Sequence, residues 1–221
     1  MSMTRCLYLH GFASGPTSSK GVAFAKNFAR HGALVERLDL RVPSLAHLRP
    51  SAIIERTLDA IGDRGPVVLI GSSLGGLTAA RVAARSPAVR ALVLLAPAFG
   101  LIERWRERLG EEAWLAWQQR GWLDIHDHAE QRPARVDFGF AEDALALDAL
   151  DGGMPPAAVP TWIAHGRADE SVDVARSRAW VRAAPPGSAS LLELDDDHQL
   201  TASVPVIVPQ AWAFLAPYLA G

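Results

Sequence analysis

Three stretches of this sequence carry a nucleophile, a base and a carboxylate in the same kind of position, just beyond a short apolar run. At 66–76 the chain reads Pro-Val-Val-Leu-Ile-Gly-Ser-Ser-Leu-Gly-Gly and continues into an Ala-rich stretch at 77–84. Within it, Gly71-Ser72-Ser73-Leu74-Gly75 matches the G-x-S-x-G pattern, in which a serine is presented on a tight turn between a buried strand and a helix. The flanking glycines have a mechanical reason: strand and helix pack too closely there to admit side chains. Ser73 is the expected nucleophile, and Ser72, one position out of register, is expected to be structural.

A hydroxyl needs a base to take its proton, and the base needs a group to orient it. Leu191-Leu192-Glu193-Leu194 reads as a strand followed by Asp195-Asp196-Asp197-His198-Gln199, so His198 ends the last strand. Thr161-Trp162-Ile163-Ala164 reads as another, followed by the turn His165-Gly166-Arg167-Ala168-Asp169-Glu170. This gives the chain order serine, acid, histidine, with Asp169 as the expected carboxylate. Glu170 and Asp173 are its rivals, and Asp173 also suits the start of the following helix. Of the other histidines, His10, His31, His47, His126, His128 and His165, none ends a late strand as His198 does. His165 stands too close to the Asp169 turn to be the separate partner.

Attack on a carbonyl builds negative charge on oxygen, which two backbone N–H groups can stabilise. Leu74, directly after the nucleophile, is one expected donor. Leu7-Tyr8-Leu9-His10-Gly11-Phe12 is a strand running into a turn, and Phe12 is the other. Gly11 lets the backbone approach a substrate, and His10 is either a loop brace or a rival for the base; both are also candidate substrate-binding positions.

Short apolar runs alternate with helical stretches, the rhythm of a mostly parallel sheet flanked by helices. Strands are expected at 4–9, 33–38, 66–71, 89–95, 160–165 and 189–195, and helices at 20–31, 51–62, 74–86, 173–184 and 204–219. Pro205 and Pro209 put the start of the last helix in question; Trp212, Phe214, Leu215 and Leu219 read as its buried face. Segment 99–150 breaks the rhythm, since about fifty residues exceed what one crossover requires. It is expected to be a helical lid inserted in a single domain spanning 1–221, with Gly110 and Gly121 ending two short helices. Trp105, Trp114, Trp117 and Trp122 lie in it, four of the chain's seven tryptophans. They either line an apolar acyl pocket or pack the lid on the body.

The 221 residues, 49% hydrophobic, are enough to bury a core. With 24 acidic and 22 basic residues intermixed, nothing offers an electrostatic grip on nucleic acid or an anionic membrane. The single cysteine, Cys6, cannot form an internal disulfide and reads as a buried strand residue. The first apolar stretch is too short for a signal peptide and no run could span a membrane, so a cytoplasmic protein acting on a small molecule is expected.

Taken together, Tyr8-Leu9-His10-Gly11-Phe12 with Pro16 and Lys20, Gly71-Ser72-Ser73-Leu74-Gly75-Gly76, Asp169-Glu170 with Asp173, and Asp197-His198 resemble the YqiA-like bacterial esterases, a branch of the α/β-hydrolase fold. The resemblance implies hydrolysis of carboxylic esters or thioesters without cofactor or metal, with Ser73, Asp169 and His198 as the triad. Segment 99–150 looks longer and richer in tryptophan than is usual there, so substrate range does not carry over. A peptidase or amidase would need the same triad. A non-catalytic ligand-binding protein on this scaffold would be expected to have a broken one.

Overall fold

A computed structural model describes residues 4–220. In chain order the elements are β1 (Arg5–Leu9), α1 (Ser19–Ala29), β2 (Val35–Leu38), α2 (Pro50–Ile61), β3 (Val67–Ser72), α3 (Leu74–Ala83), β4 (Val89–Leu95), α4 (Leu101–Arg120), β5 (Trp122–Asp127), β6 (Arg132–Asp137), α5 (Gly139–Asp151), β7 (Thr161–Gly166), α6 (Val174–Ala183), β8 (Ala189–Leu194) and α7 (Val204–Leu219). Six strands form one parallel sheet in the order β2-β1-β3-β4-β7-β8. Its apolar runs are continuous because both faces are covered. Successive side chains alternate between two cores: Leu7, Leu9, Leu69, Leu92, Leu94 and Ile163 enter one, and Cys6, Tyr8, Val68, Ile70, Val93 and Trp162 enter the other.

The second core is closed by α1 through Phe24 and Phe28 and by α7 through Ile207, Val208, Ala211 and Leu215. Pro205 falls in the first turn of α7, where a missing N–H leaves no helical bond unmade, so the helix starts at Val204 despite it. The buried seam of α7 lies one turn earlier than the sequence suggests. Leu215 is on it, while Trp212, Phe214 and Leu219 sit at its partly buried margin, with Trp212 stacked on His31.

The first core is closed by α2, α3, α6 and the insertion after β4. Gly110 (φ 75°, ψ 163°) breaks α4 into two helices, and Gly121 ends the second in a left-handed conformation, as the two glycines imply. The insertion is not all helical, however. β5 and β6 pair as an antiparallel hairpin, in which Leu123 and Ile125 turn inward and Asp124 and His126 outward. That two-residue period is visible in the sequence, but it is too brief to stand out among helices. The hairpin is tied to the β1–α1 loop by His128 N–H donating to the Ala13 carbonyl at 2.8 Å.

One buried cation fastens the far end of the insertion. Arg81 of α3 is 2% exposed and holds Asp148 (2.6 Å) and Asp151 (2.8 Å) of α5. Burial works against its charge, and the bonds to Asp151 and Asp148 outweigh that, raising its pKa.

Because the sheet is parallel, the loops after β1, β3, β4, β7 and β8 emerge at one edge. The chain crosses from one side of β1 to the other between β2 and β3, which makes the β1/β3 boundary the expected ligand crevice.

Candidate active site

Ser73 sits between β3 and α3 with φ 54° and ψ −116°, a strained conformation for a residue with a Cβ. Its N–H bonds the Leu95 carbonyl (2.9 Å), and its carbonyl accepts from Ala98 (3.1 Å) and from the first turn of α3, so the turn is held on both sides. The close crossing has a direct signature. A Cβ on Gly71 would run into the backbone of Gly75 and Gly76, and one on Gly75 into the Leu9 and His10 carbonyls.

His198 joins this serine to Asp169. Its Nε2 lies 3.0 Å from Ser73 Oγ and its Nδ1 2.7 Å from Asp169 Oδ2. The loops carrying the two residues are knitted together: Arg167 N–H bonds the Leu194 carbonyl (2.8 Å) and Ala168 N–H the Asp196 carbonyl (3.1 Å). The aspartate run before His198 shapes its loop. Asp196 accepts from Asp197 and Ser203 N–H, Asp197 from Gln199 N–H, and Asp195 pairs with Arg167.

The rivals of Asp169 are placed elsewhere: Asp173 caps α6 by accepting from Ala175 N–H, and Glu170 is exposed. Asp169 has a further partner that sequence reasoning missed. The wholly buried His165 places Nε2 3.0 Å from Asp169 Oδ2 and 2.9 Å from the Val172 carbonyl, with Nδ1 2.8 Å from Ser177 Oγ. Facing two acceptors, Nε2 must carry the proton. Asp169 Oδ1 accepts from Ser171 and Val172 N–H, both at 2.8 Å. Burial alone would raise the Asp169 carboxyl pKa. The bonds from His165 and His198 outweigh it and hold the group well below the usual carboxylate range.

On the other side of Ser73, a Cβ on Gly11 would lie 3.3 Å from Ser73 Cβ and 4.0 Å from Oγ, so the β1–α1 loop is in contact with the serine. The N–H groups of Phe12 and Leu74 are left without a backbone acceptor among the described residues. The Phe12 ring packs edge-on to Trp105 (4.9 Å between centroids) and against Phe140 (5.3 Å).

A cavity of about 570 Å³ opens over Ser73 and His198 and takes in Gly11, Phe12, Leu74 and Trp105. Four candidates lie outside it. Trp114 and Trp117 are core residues, 5% and 1% exposed, packed on Phe138, with Trp117 Nε1 donating to the Val136 carbonyl. Trp122 lies against His47 and under the Arg135 guanidinium. His10 is a loop brace: its Nε2 accepts from Leu40 N–H and its Nδ1 donates to the Gly11 carbonyl, while burial lowers its pKa. Only the first tryptophan of α4 faces the cavity, because the others fall on the side of the helix that packs on the body. Lys20, half-buried, also lines the cavity and donates from Nζ to the Gln199 carbonyl at 2.7 Å.

A model of the uncharacterised protein family UPF0227 matches residues 5–216. The chain belongs to this family. No curated protein matches this UPF0227 member. Among solved structures it is similar to alpha/beta hydrolase domain-containing protein 10 from mouse, at 22% identity and TM-score 0.78, over 96% of this chain and 90% of that one. It is also similar to Est1E from Butyrivibrio proteoclasticus solved with ferulic acid bound, at 19% identity and TM-score 0.75, over 99% and 90% of the two chains. An alpha/beta-superfamily protein from Xanthomonas campestris pv. campestris is 29% identical, with TM-score 0.63 over 98% and 99%. The UPF0227 chain therefore has the α/β-hydrolase fold expected from its motifs.

Proposed function

We propose that this UPF0227 protein is a serine esterase in which Ser73 is the nucleophile, His198 the general base and Asp169 the group that orients it. The supporting observation is the single imidazole within hydrogen-bond reach of both a strained serine hydroxyl and an ionised carboxylate. Ser73 Oγ attacks the substrate carbonyl as its proton passes to His198 Nε2. The Phe12 and Leu74 amides, without a backbone acceptor among the described residues, receive the oxyanion. The ester C–O bond, or a thioester C–S bond, then breaks, and the alcohol or thiol leaves with the proton from His198. Water attacks the acyl-enzyme, gives its proton to His198 and frees the acid, restoring Ser73.

Segment 99–150 serves as a lid in this reading, since Leu101, Trp105, Leu109, Leu123 and Ile125 from it make an apolar wall for the acyl group. The test is labelling by a fluorophosphonate probe, followed by rates on 4-nitrophenyl esters and acyl thioesters of increasing chain length. Aromatic acyl esters belong in the set because Est1E, of the same fold, binds ferulic acid. Wild-type protein should be labelled and Ser73→Ala should not, with kcat lower by about 10⁴–10⁶. Labelling that persists in Ser73→Ala would remove the serine from its role.

A further inference from the structure

The cavity over Ser73 is lined by more than an apolar wall. Lys20 from α1 and Arg104 and Arg108 from α4 also line it, and no carboxylate side chain does so among the described residues. Proton transfer through His198 and oxyanion binding by two amides make no use of these three cations.

Each is incompletely paired. Lys20 carries three N–H donors, of which the Gln199 carbonyl takes one. Burial pulls its pKa down to about 8 against the more distant Asp197, Asp196 and Asp169, none of which makes an ion pair with it among the described residues. Arg104 bonds Glu107 from Nη1 (2.7 Å), yet its Nε–H is buried without a partner. Arg108, which is exposed, reaches only Ser171 Oγ among the described residues, at 3.4 Å. A cation taken partly out of water beside apolar side chains is unfavourable until an anion meets it.

We infer that the cavity accepts an ester bearing an anionic group, a carboxylate or a phosphate, with Lys20 and Arg104 as the specificity-determining contacts and Arg108 at the outer edge. The inference rests on the esterase reading and narrows its substrate class. The apolar wall takes the hydrocarbon part, and the cations take the charge. A neutral ester leaves the spare donors of Lys20 and the buried Nε–H of Arg104 unmet and is the poorer substrate.

Matched pairs test this at low salt. The 4-nitrophenyl monoester of adipic acid is compared with 4-nitrophenyl hexanoate, placing a carboxylate on the acyl side. The butyrate ester of 2-hydroxyethyl phosphate is compared with the monobutyrate of ethylene glycol, placing a phosphate on the leaving side. In at least one pair the charged member should have kcat/KM higher by about tenfold or more, the scale of one charge-assisted hydrogen bond. The ratio should collapse in Lys20→Met and in Arg104→Gln and survive in Lys20→Arg; the pair that shows it identifies which side of the ester carries the anion. Equal rates in both pairs, or a preference unmoved in both variants, would overturn the inference. Binding to Ser73→Ala, read by tryptophan fluorescence, separates this from the esterase reading. Selective binding of a charged member by Ser73→Ala, with no turnover of any of the four by wild type, keeps the anion site and discards the esterase. Absence of selective binding there discards the anion site.

Discussion

Asp169 accepts four hydrogen bonds on two oxygens, and the division of labour between them is informative. Oδ1 is fixed by two backbone amides and Oδ2 is shared by two imidazoles, so the carboxylate cannot rotate without losing all four. In the proposed mechanism His165 acts as a positioning residue for His198, through the oxygen they share. Replacing it with Phe should lower kcat by about tenfold to a hundredfold, as losses of outer hydrogen-bond partners do, with KM little changed; His165→Gln should recover part of the loss. The pH behaviour has a definite sign. A depressed carboxylate pKa contributes stability above its unfolded value of about 3.9 and loses it as pH falls through the folded value. Without the His165 bond the folded pKa rises, so acid unfolding of His165→Phe, followed by circular dichroism, should begin at higher pH than in wild type. A KM-dominated defect with an unchanged acid transition would refute the role. Ser73, His198 and Asp169 were legible in the sequence because each follows an apolar run at the same edge of the sheet. His165 was not, because nearness to Asp169 along the chain excluded it as the base and said nothing about a second bond to the same oxygen.

At the scale of elements, the serine is displayed because β3 and α3 meet at a crossing with no room for Cβ atoms. Gly75 faces the carbonyls of Leu9, the last residue of β1, and of His10 just beyond it, and Leu9 cannot retreat without disturbing its pairing with β3. Gly75→Ala should thus destabilise the fold by about 1–3 kcal/mol, read from the denaturant midpoint; a midpoint within error of wild type would mean the crossing is looser than described. The six parallel strands and five flanking helices could be placed from the sequence because apolar runs and Ala-rich stretches alternate over long distances. The hairpin at Trp122–Asp127 and Arg132–Asp137 could not, since six residues of alternation beside a long helix are a weak signal. Which tryptophan of α4 faces the cavity depends on the rotation of that helix and its break at Gly110, and neither follows from composition.

For the molecule as a whole, the question is what joins the insertion to the body that holds the serine. At one end Arg81, in the helix that begins at Leu74, grips two aspartates of α5 in a nearly dry setting. Arg81→Leu would strand both carboxylates and should cost about 3–5 kcal/mol in chemical denaturation; a loss below about 0.5 kcal/mol would show that α5 docks by apolar contact alone. At the other end the insertion meets the body through the His128–Ala13 bond and through the ring of Phe12, wedged between Trp105 and Phe140. In the proposed mechanism, the residue whose amide receives the oxyanion is thereby gripped by the same segment that supplies the apolar wall of the cavity. Under the proposed function, a change that loosens the packing of Trp105 and Phe140 on Phe12 would therefore disturb the oxyanion donor and the acyl wall together.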